Sequence, residues 1–232
     1  MATNFRHKNY FLNIFKLLSI EVATILFAFV FSMLVVILIV KRIILLKTDW
    51  FDEWVFDFLR SHVSDNTTVV MNSITLLGSH YFLIPAFLLL ILHAIFIKKD
   101  KWLGIRIAAI SISSVLLMLY LKHIFNRPRP LVPLLNEASG LSFPSGHAFM
   151  SFSFFGLLIY ILHKEMHTSW LKYLLMFFIG CIVLLIGLSR IYLRVHYASD
   201  VIAGLCMGFM WIVISLTVLH FMEKQKSKLP AV

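Results

Sequence analysis

Residues 189–200 combine groups suited to nucleophilic catalysis and lie between two long apolar segments. The stretch reads Ser-Arg-Ile-Tyr-Leu-Arg-Val-His-Tyr-Ala-Ser-Asp, so His196 and Asp200 are four residues apart. On a helix, that spacing would place both side chains on one face. A carboxylate can then bind one imidazole nitrogen and leave the other nitrogen free to attack an electrophile. Because charged groups close to lipid are costly, we interpret these residues as a candidate functional site.

A second polar cluster contains Lys122 and Arg129. Pro128 and Pro130 stiffen the backbone around Arg129, so the two cations would form a fixed positive pocket. The alternative interpretation is that both cations only flank a membrane span, with their aliphatic stems in lipid. This cluster alone does not distinguish the two.

A third cluster, Ser-Phe-Pro-Ser-Gly-His at residues 142–147, immediately precedes an apolar segment. Gly146 lets the backbone approach a ligand closely. The N–H groups and the positive dipole end of a helix that follows would favour an anion. By itself, this motif is only weak evidence for an anion-binding site.

The composition predicts a membrane protein with several spans. Hydrophobic residues make up 60% of the 232 residues and charged residues 14%, against roughly 45–50% and 25% in typical soluble domains. The formal net charge of +10 would suit nucleic-acid binding in a soluble protein. In a membrane protein, cytoplasmic loops account for it, so we expect no nucleic-acid partner.

Six segments are apolar and long enough to span a bilayer, and one further segment is amphipathic. Residues 47–65 place apolar side chains at helical spacing, which predicts an interfacial helix that either shapes lipid access or only connects spans. A short lead-in helix follows, interrupted at residues 78–80. The predicted fold is one all-α polytopic membrane domain over residues 1–232, with six transmembrane helices near 22–40, 81–97, 104–121, 148–162, 173–189 and 201–222.

The three polar clusters are predicted to open on one face of the membrane. Two crossings separate the loop 122–147 from the loop around 190–196, so both lie on the same side. Of the Lys and Arg residues, twelve fall on the side of the chain ends and nine on the other. The positive-inside rule therefore predicts cytoplasmic ends and a site on the outer face of the cell membrane.

Together, the three clusters resemble the signature of the type-2 phosphatidic acid phosphatase superfamily. The pattern is Lys-x6-Arg-Pro, then Pro-Ser-Gly-His, then Ser-Arg-x5-His-x3-Asp, and it occupies residues 122–200. Soluble vanadium haloperoxidases share a related signature, but six apolar spans argue against that branch.

The resemblance implies a role for each matched residue. His196 would attack phosphorus and form a phospho-histidine, which Asp200 orients, and His147 would protonate the leaving oxygen and then activate water. No metal or other cofactor is expected, because cations can stabilise the phosphoryl oxygens instead. The expected phosphate-binding residues are Lys122, Arg129, Ser145, Gly146 and Arg190.

The resemblance implies metal-independent hydrolysis of a lipid phosphate or diphosphate, such as phosphatidylglycerophosphate, phosphatidic acid or undecaprenyl pyrophosphate. A lipid phosphotransferase is an alternative that nothing in the sequence excludes. A transporter of anions or lipids is disfavoured, since transport sites lie near the membrane midplane and these charges cluster at one face. The sequence leaves open the lipid, the oligomeric state and the roles of Arg127, Arg194 and the 47–65 helix.

Overall fold

The computed structural model describes residues 20–131, 133–134 and 140–226. Within these ranges the chain forms α-helices and no strand. The N-terminal cations Arg6, Lys8 and Lys16, which enter the predicted charge bias, lie outside the described residues, as does Lys228. The helices are α1 (Ile20–Val40), α2 (Trp50–Arg60), α3 (Asp65–Leu76), α4 (His80–Leu92), α5 (Lys101–Phe125), α6 (Gly146–Glu165), α7 (Trp170–Tyr192) and α8 (Ala198–Lys226).

Six helical segments of the described chain are long and apolar enough to cross a membrane. Many of their large apolar side chains face outward, including Phe27, Phe31 and Phe177. Lipid can cover this surface, whereas water could not do so without a large cost. The prediction of an all-α fold with six spans is therefore confirmed. The segments are Ile20–Ile43, Asp65–Ile97, Lys101–Phe125, Gly146–Glu165, Trp170–Tyr192 and Ala198–Gln225.

Helix α3 lies across one end of the helix bundle. At its start, the backbone N–H of Ser64 donates to Tyr192 Oη at 3.2 Å. Near its end, Thr75 Oγ1 accepts from Arg190 Nη1 at 2.7 Å. Helix α3 is about 18 Å long, so if it ran parallel to α7 its two ends would contact distant parts of α7. Instead, both ends contact the last turn of α7. This part of the chain therefore crosses the membrane through α4 and the π-helical turn His93–Ile97 that continues it. The interruption at residues 78–80 predicts the same division into a lead-in helix and a span.

Helix α6 occupies the centre of the bundle and packs against α8, α7 and α5. Two glycines of α8 permit the closest of these approaches. A Cβ atom on Gly204 would lie 2.8 Å from the carbonyl oxygen of Ser145, and one on Gly208 would lie 2.9 Å from that of Phe149. This close packing brings the first turn of α6 against the first turns of α8, where Asp200 lies.

Replacing Gly204 by Ala is expected to lower the stability of the folded protein by about 1–3 kcal/mol, because the added methyl group overlaps a backbone oxygen. Gly180→Ala in α7 is the matched control, since a Cβ atom there meets nothing within 4 Å. Thermal unfolding in detergent measures both. We expect a lower midpoint for Gly204→Ala and an unchanged or higher midpoint for Gly180→Ala. Equal midpoints for the two variants would contradict the packing of α6 on α8.

Helix α2 falls within the predicted amphipathic segment and binds to the protein through one face. Phe51 and Val55 pack on a buried cluster formed by α6, α7 and α8. Trp54 and Phe58 are exposed on another face and stack on each other. Asp52, in contrast, is 2% exposed. The helix therefore does more than connect two spans: it delivers a buried carboxylate to the bundle.

Candidate active site

His196 and Asp200 meet in a fully buried position at the start of α8. Nδ1 of His196 lies 3.6 Å from Oδ2 of Asp200 and 3.4 Å from Oγ of Ser142. Ser142 donates its hydroxyl proton to the same carboxylate oxygen. The lone pair of Ser142 is then available to the Nδ1–H of His196. With the proton on Nδ1, Nε2 would carry the free lone pair.

The pairing of His196 with Asp200 is present, but the helical reason predicted for it is wrong. Helix α8 begins at Ala198, so His196 lies in the turn before it. The backbone N–H of His196 bonds to the carbonyl of Arg190 at 3.3 Å. Asp200, the third helical residue, accepts from the backbone N–H of Tyr197 at 3.0 Å. This is the geometry of a helix cap, and it folds the turn back onto the carboxylate.

His147, the second residue of α6, belongs to the same site. Its ring packs on the turn between α3 and α4, where a Cβ atom on Gly78 would lie 3.2 Å from Cδ2 of His147. His147 interacts electrostatically with Arg190, His196 and Arg129. The two histidines predicted to act on one phosphate therefore share one electrostatic environment.

Arg129 and Lys122 are anchored to backbone carbonyls of the surrounding loops. Arg129 donates from Nη1 to the carbonyl of Val195 at 2.8 Å and from Nε to that of Gly140 at 3.1 Å. Lys122 donates from Nζ to the carbonyl of Leu141. These bonds fix the two head groups without neutralising their charge.

Arg190 completes the set of three cations. Its Nη1 donates to the neutral hydroxyl of Thr75 at 2.7 Å, and its side chain is buried. Within the described part of the chain, no carboxylate lies within 4 Å of the Lys122, Arg129 or Arg190 head groups. The site thus retains positive charge that an anion could neutralise.

Ser145 and Gly146 form the positive end of α6. Ser145 is the N-cap residue: its Oγ accepts from the N–H of Ala148 at 3.5 Å, and its own N–H donates to the carbonyl of Asp200 at 3.0 Å. The N–H of Gly146 is the first of the helix and has no intrahelical acceptor. A Cβ atom on Gly146 would lie 3.7 Å from Cε of Lys122. The N-terminus of α6 and the side chain of Lys122 therefore lie next to each other. Phosphate binding by Ser145 stays a prediction.

A buried network behind Asp200 was not predicted from the sequence. Arg127, whose role the sequence left open, donates to Asp200 Oδ1 at 2.7 Å and to Asp52 Oδ2 at 2.9 Å. Burial lowers the pKa of Arg127, but the two carboxylates outweigh this effect, so the pKa lies above its ordinary value. Nothing in the pattern of residues 47–65 distinguished Asp52 from the other carboxylates of that segment. The contribution of Ser142 was also missed, although it lies within the predicted motif.

An apolar cavity of about 510 Å³ opens beside the site, between α4, α5 and α6. One end is lined by His80, Gly146 and His147. Farther along, the lining is almost entirely hydrocarbon, including Phe87 and Val115. The cavity joins the polar site to the lipid-facing part of the bundle.

Burial lowers the pKa of His196 from 6.5 to about 4; Asp200 opposes this shift, while Arg129 and Arg190 add to it. We therefore expect His196 to be neutral and nucleophilic at all ordinary pH values. Nitrogen-15 NMR of histidine-labelled protein should show one imidazole, missing from the His196→Gln spectrum, that stays neutral as the pH falls through 6.5. Protonation of that ring near pH 6.5 would contradict the burial.

Comparisons with known proteins place the chain in a family. The family model described as PAP2 superfamily matches residues 103–224. Phosphatidylglycerophosphatase B of Bacillus subtilis (strain 168) is 35% identical over 144 residues, which cover 61% of this chain and 70% of the relative. Lipid A 1-phosphatase of Rhizobium etli is 31% identical over 118 residues, 47% of each protein.

A solved structure is similar over most of the chain. The crystal structure of a transmembrane PAP2 type phosphatidylglycerolphosphate phosphatase from Bacillus subtilis superposes with a TM-score of 0.75 at 28% identity. The match covers 85% of this chain and 97% of that one. The family model alone matches more than half of the chain and spans all three motifs. The chain therefore belongs to the PAP2 superfamily.

Proposed function

We propose that the chain hydrolyses a lipid phosphate or diphosphate through a phospho-histidine formed on His196. The observation that supports this best is the buried His196, held by Ser142 and Asp200. Beside it lie the cations Lys122, Arg129 and Arg190, and among the described residues none of their head groups has a carboxylate within 4 Å. Phosphoryl transfer depends mainly on positioning and on charge stabilisation at the phosphoryl oxygens. As a PAP2 member the chain is a multi-pass membrane phosphatase, so the proposal concerns its intermediate and its substrate.

In the first step, Nε2 of His196 attacks phosphorus and the bond from phosphorus to the leaving oxygen breaks. The imidazolium of His147 donates a proton to that oxygen, so the leaving group departs as an alcohol or a phosphate. The Nδ1–H of His196 stays bonded toward Ser142 and Asp200, which supports the positive charge that develops on the ring.

In the second step, water attacks the phospho-histidine. His147, now neutral, accepts a proton from the water, and the bond from phosphorus to Nε2 of His196 breaks to release inorganic phosphate. Both histidines return to their starting states. Two residues are needed because nucleophilic attack and proton transfer occur at different atoms at the same time.

The apolar cavity supports a lipid substrate. Its wall runs from His147 past Phe87 and Val115, so an acyl or prenyl chain could occupy it while the phosphate reaches His196. Burial of such a chain contributes about 0.8 kcal/mol per methylene group. Phosphatidylglycerophosphate is the first candidate, because a relative aligned over 70% of its length is a phosphatidylglycerophosphatase. Phosphatidic acid and undecaprenyl pyrophosphate follow.

The test is phosphate release by purified protein from these three lipids, with glycerol 3-phosphate as a substrate that lacks a lipid tail. We expect release from at least one lipid at a rate far above that for glycerol 3-phosphate. Equal rates for lipid and tail-free substrates would argue against the cavity as a lipid site, and no release from any lipid would refute the function.

Metal independence stays a prediction that the same assay can test. Among the described residues, no group of three or more His, Cys, Asp or Glu side chains converges to hold a metal ion. The site instead offers Lys122, Arg129 and Arg190. We expect phosphate release to be unchanged by excess EDTA. Loss of activity in EDTA, restored by a divalent cation, would contradict the proposal.

We also propose that the chain ends are cytoplasmic and that the site faces outward. The support is the larger number of Lys and Arg residues on the side of the chain ends. Fusion of green fluorescent protein or alkaline phosphatase to the C-terminus tests this orientation. We expect the green fluorescent protein fusion to fluoresce and the alkaline phosphatase fusion to be inactive. A dark green fluorescent protein fusion with an active alkaline phosphatase fusion would place the site in the cytoplasm.

A further inference from the structure

The buried carboxylate of Asp52 reaches the active site from a helix outside the three motifs. Oδ1 of Asp52 accepts the backbone N–H of Ser199 at 2.9 Å. Oδ2 accepts the hydroxyl of Ser199 at 2.6 Å and Nη2 of Arg127 at 2.9 Å. Burial of an ionised carboxylate costs several kcal/mol unless it is paired and hydrogen-bonded. Such complete pairing shows that this position on α2 is built for a carboxylate.

Arg127 connects Asp52 to the catalytic pair. It is separated from Asp52 by 75 residues and from Asp200 by 73. One nitrogen, Nη1, donates to Asp200 Oδ1 at 2.7 Å and to Ser199 Oγ at 2.9 Å. The guanidinium carbon lies 3.9 Å from the ring centroid of Tyr197. Contacts on both nitrogens and on the face of the guanidinium hold Arg127 in one orientation.

The two oxygens of Asp200 therefore have separate partners. Oδ1 binds Arg127, whereas Oδ2 accepts from Ser142 and the N–H of Tyr197 and faces Nδ1 of His196. Because rotation of the carboxylate would break bonds at both oxygens, Arg127 at Oδ1 acts together with Ser142 and Tyr197 at Oδ2 to hold Oδ2 toward His196.

The charges of this network also matter. Arg127 alone would cancel the negative charge of Asp200, which the proposed mechanism needs next to a positive imidazole. Asp52 and the exposed Asp49, whose Oδ1 lies 3.5 Å from Arg127 Nη2, supply two further carboxylates, so the group keeps a net negative charge. In a buried site, such fixed charge interacts more strongly than it would in water.

We propose that Asp52 and Arg127 are positioning residues for phosphoryl transfer, through which the interfacial helix α2 holds Asp200 toward His196. This inference rests on the proposed function of His196. Neither residue is among those assigned to phosphate binding, so we expect both to act on the turnover rate and to leave substrate binding nearly unchanged.

The test is the kinetics of Asp52→Asn with phosphatidylglycerophosphate in mixed micelles. Asn keeps the size of Asp but removes the charge. We expect kcat to fall by about 10–100-fold, as for other groups that orient an active-site residue, with KM changed by less than about threefold. Asp57→Asn is the matched control, because Asp57 is an exposed carboxylate on the same helix. It should leave both constants unchanged.

A double variant covers the case in which Asp52→Asn unfolds because Arg127 loses its buried carboxylate partner on α2 and keeps only Asp200 and the exposed Asp49. Asp52→Asn with Arg127→Met removes both charges of this pair, so no buried guanidinium is left short of a carboxylate, and Asp200 keeps its bonds to Ser142 and Tyr197. We expect this protein to fold and to be no less active than Arg127→Met alone, because residues that act through one network are not additive.

The outcomes separate this inference from the proposed function. An inactive His196→Gln together with a fully active Asp52→Asn would overturn the inference alone. Full activity in the double variant would overturn it as well. So would an Asp52→Asn variant in which KM rises and kcat is unchanged. Full activity of His196→Gln would instead refute the proposed function.

Discussion

Replacing His196 by Gln is expected to lower phosphate release by about 10⁴–10⁶-fold, the range found when a catalytic nucleophile is removed. Gln can still bond to Ser142 and fill most of the buried volume, but it has no nucleophilic nitrogen. The measurement is released phosphate per mole of purified protein. His220→Gln is the matched control, because His220 is an exposed histidine farther along α8.

The His196→Gln variant should remain folded, with an unfolding midpoint close to that of the wild type. The residual rate should equal that from binding and charge stabilisation alone, since the cations anchored by Val195, Leu141 and Thr75 stay in place. A folded variant that retained a tenth or more of the wild-type rate would exclude His196 as the nucleophile.

Replacing His147 by Gln is expected to have an effect that depends on the leaving group. With a lipid alkoxide the rate should fall by about 10²–10⁴-fold, the usual contribution of a general acid or base. With p-nitrophenyl phosphate, whose leaving group needs no proton, the first turnover should be much less affected. The second step still lacks its base, so the phosphoenzyme should accumulate.

Rapid-quench measurements distinguish these two steps. A burst of nitrophenol, followed by slow release of phosphate, is the expected pattern for His147→Gln. An equal loss for both leaving groups, with no burst, would assign His147 to substrate binding instead of proton transfer.

The sequence predicts the fold well because lipid restricts the choices available to the chain. Apolar segments of about 20 residues with few charges can satisfy their backbone in lipid only as spanning helices, and six such segments lie in the described part of the chain. The interruption at residues 78–80 likewise separates α3 from α4. The bilayer does not determine the packing of α3 across the end of α7, because that packing depends on contacts such as Thr75 with Arg190.

The sequence could predict which residues converge because few side chains can perform the chemistry that the resemblance implies, although their roles stay predictions. Lys122, Arg129, His147, Arg190 and His196 are brought to one site by α5, α6, α7 and the turn before α8. The contact between His196 and Asp200 was expected from helical periodicity, yet it arises from a turn that Asp200 caps.

The network of Asp52, Arg127 and Ser199 could not be found by the same reasoning. Its members are joined by tertiary packing of α2 on α8 and α7. A charged residue on an amphipathic helix is normally solvated, so the pattern of residues 47–65 gave no reason to bury Asp52. Only the three-dimensional arrangement shows that its carboxylate lies within reach of Arg127.

The most direct test of the mechanism is to trap the covalent intermediate. Wild type, His147→Gln and His196→Gln are mixed with p-nitrophenyl phosphate labelled with phosphorus-32, whose leaving group needs no general acid, and are then quenched in alkali and digested. We predict an alkali-stable, acid-labile label on the peptide that contains His196, strongest in His147→Gln and absent from His196→Gln. Label on any other residue, or turnover by all three proteins with no labelled peptide, would contradict the mechanism.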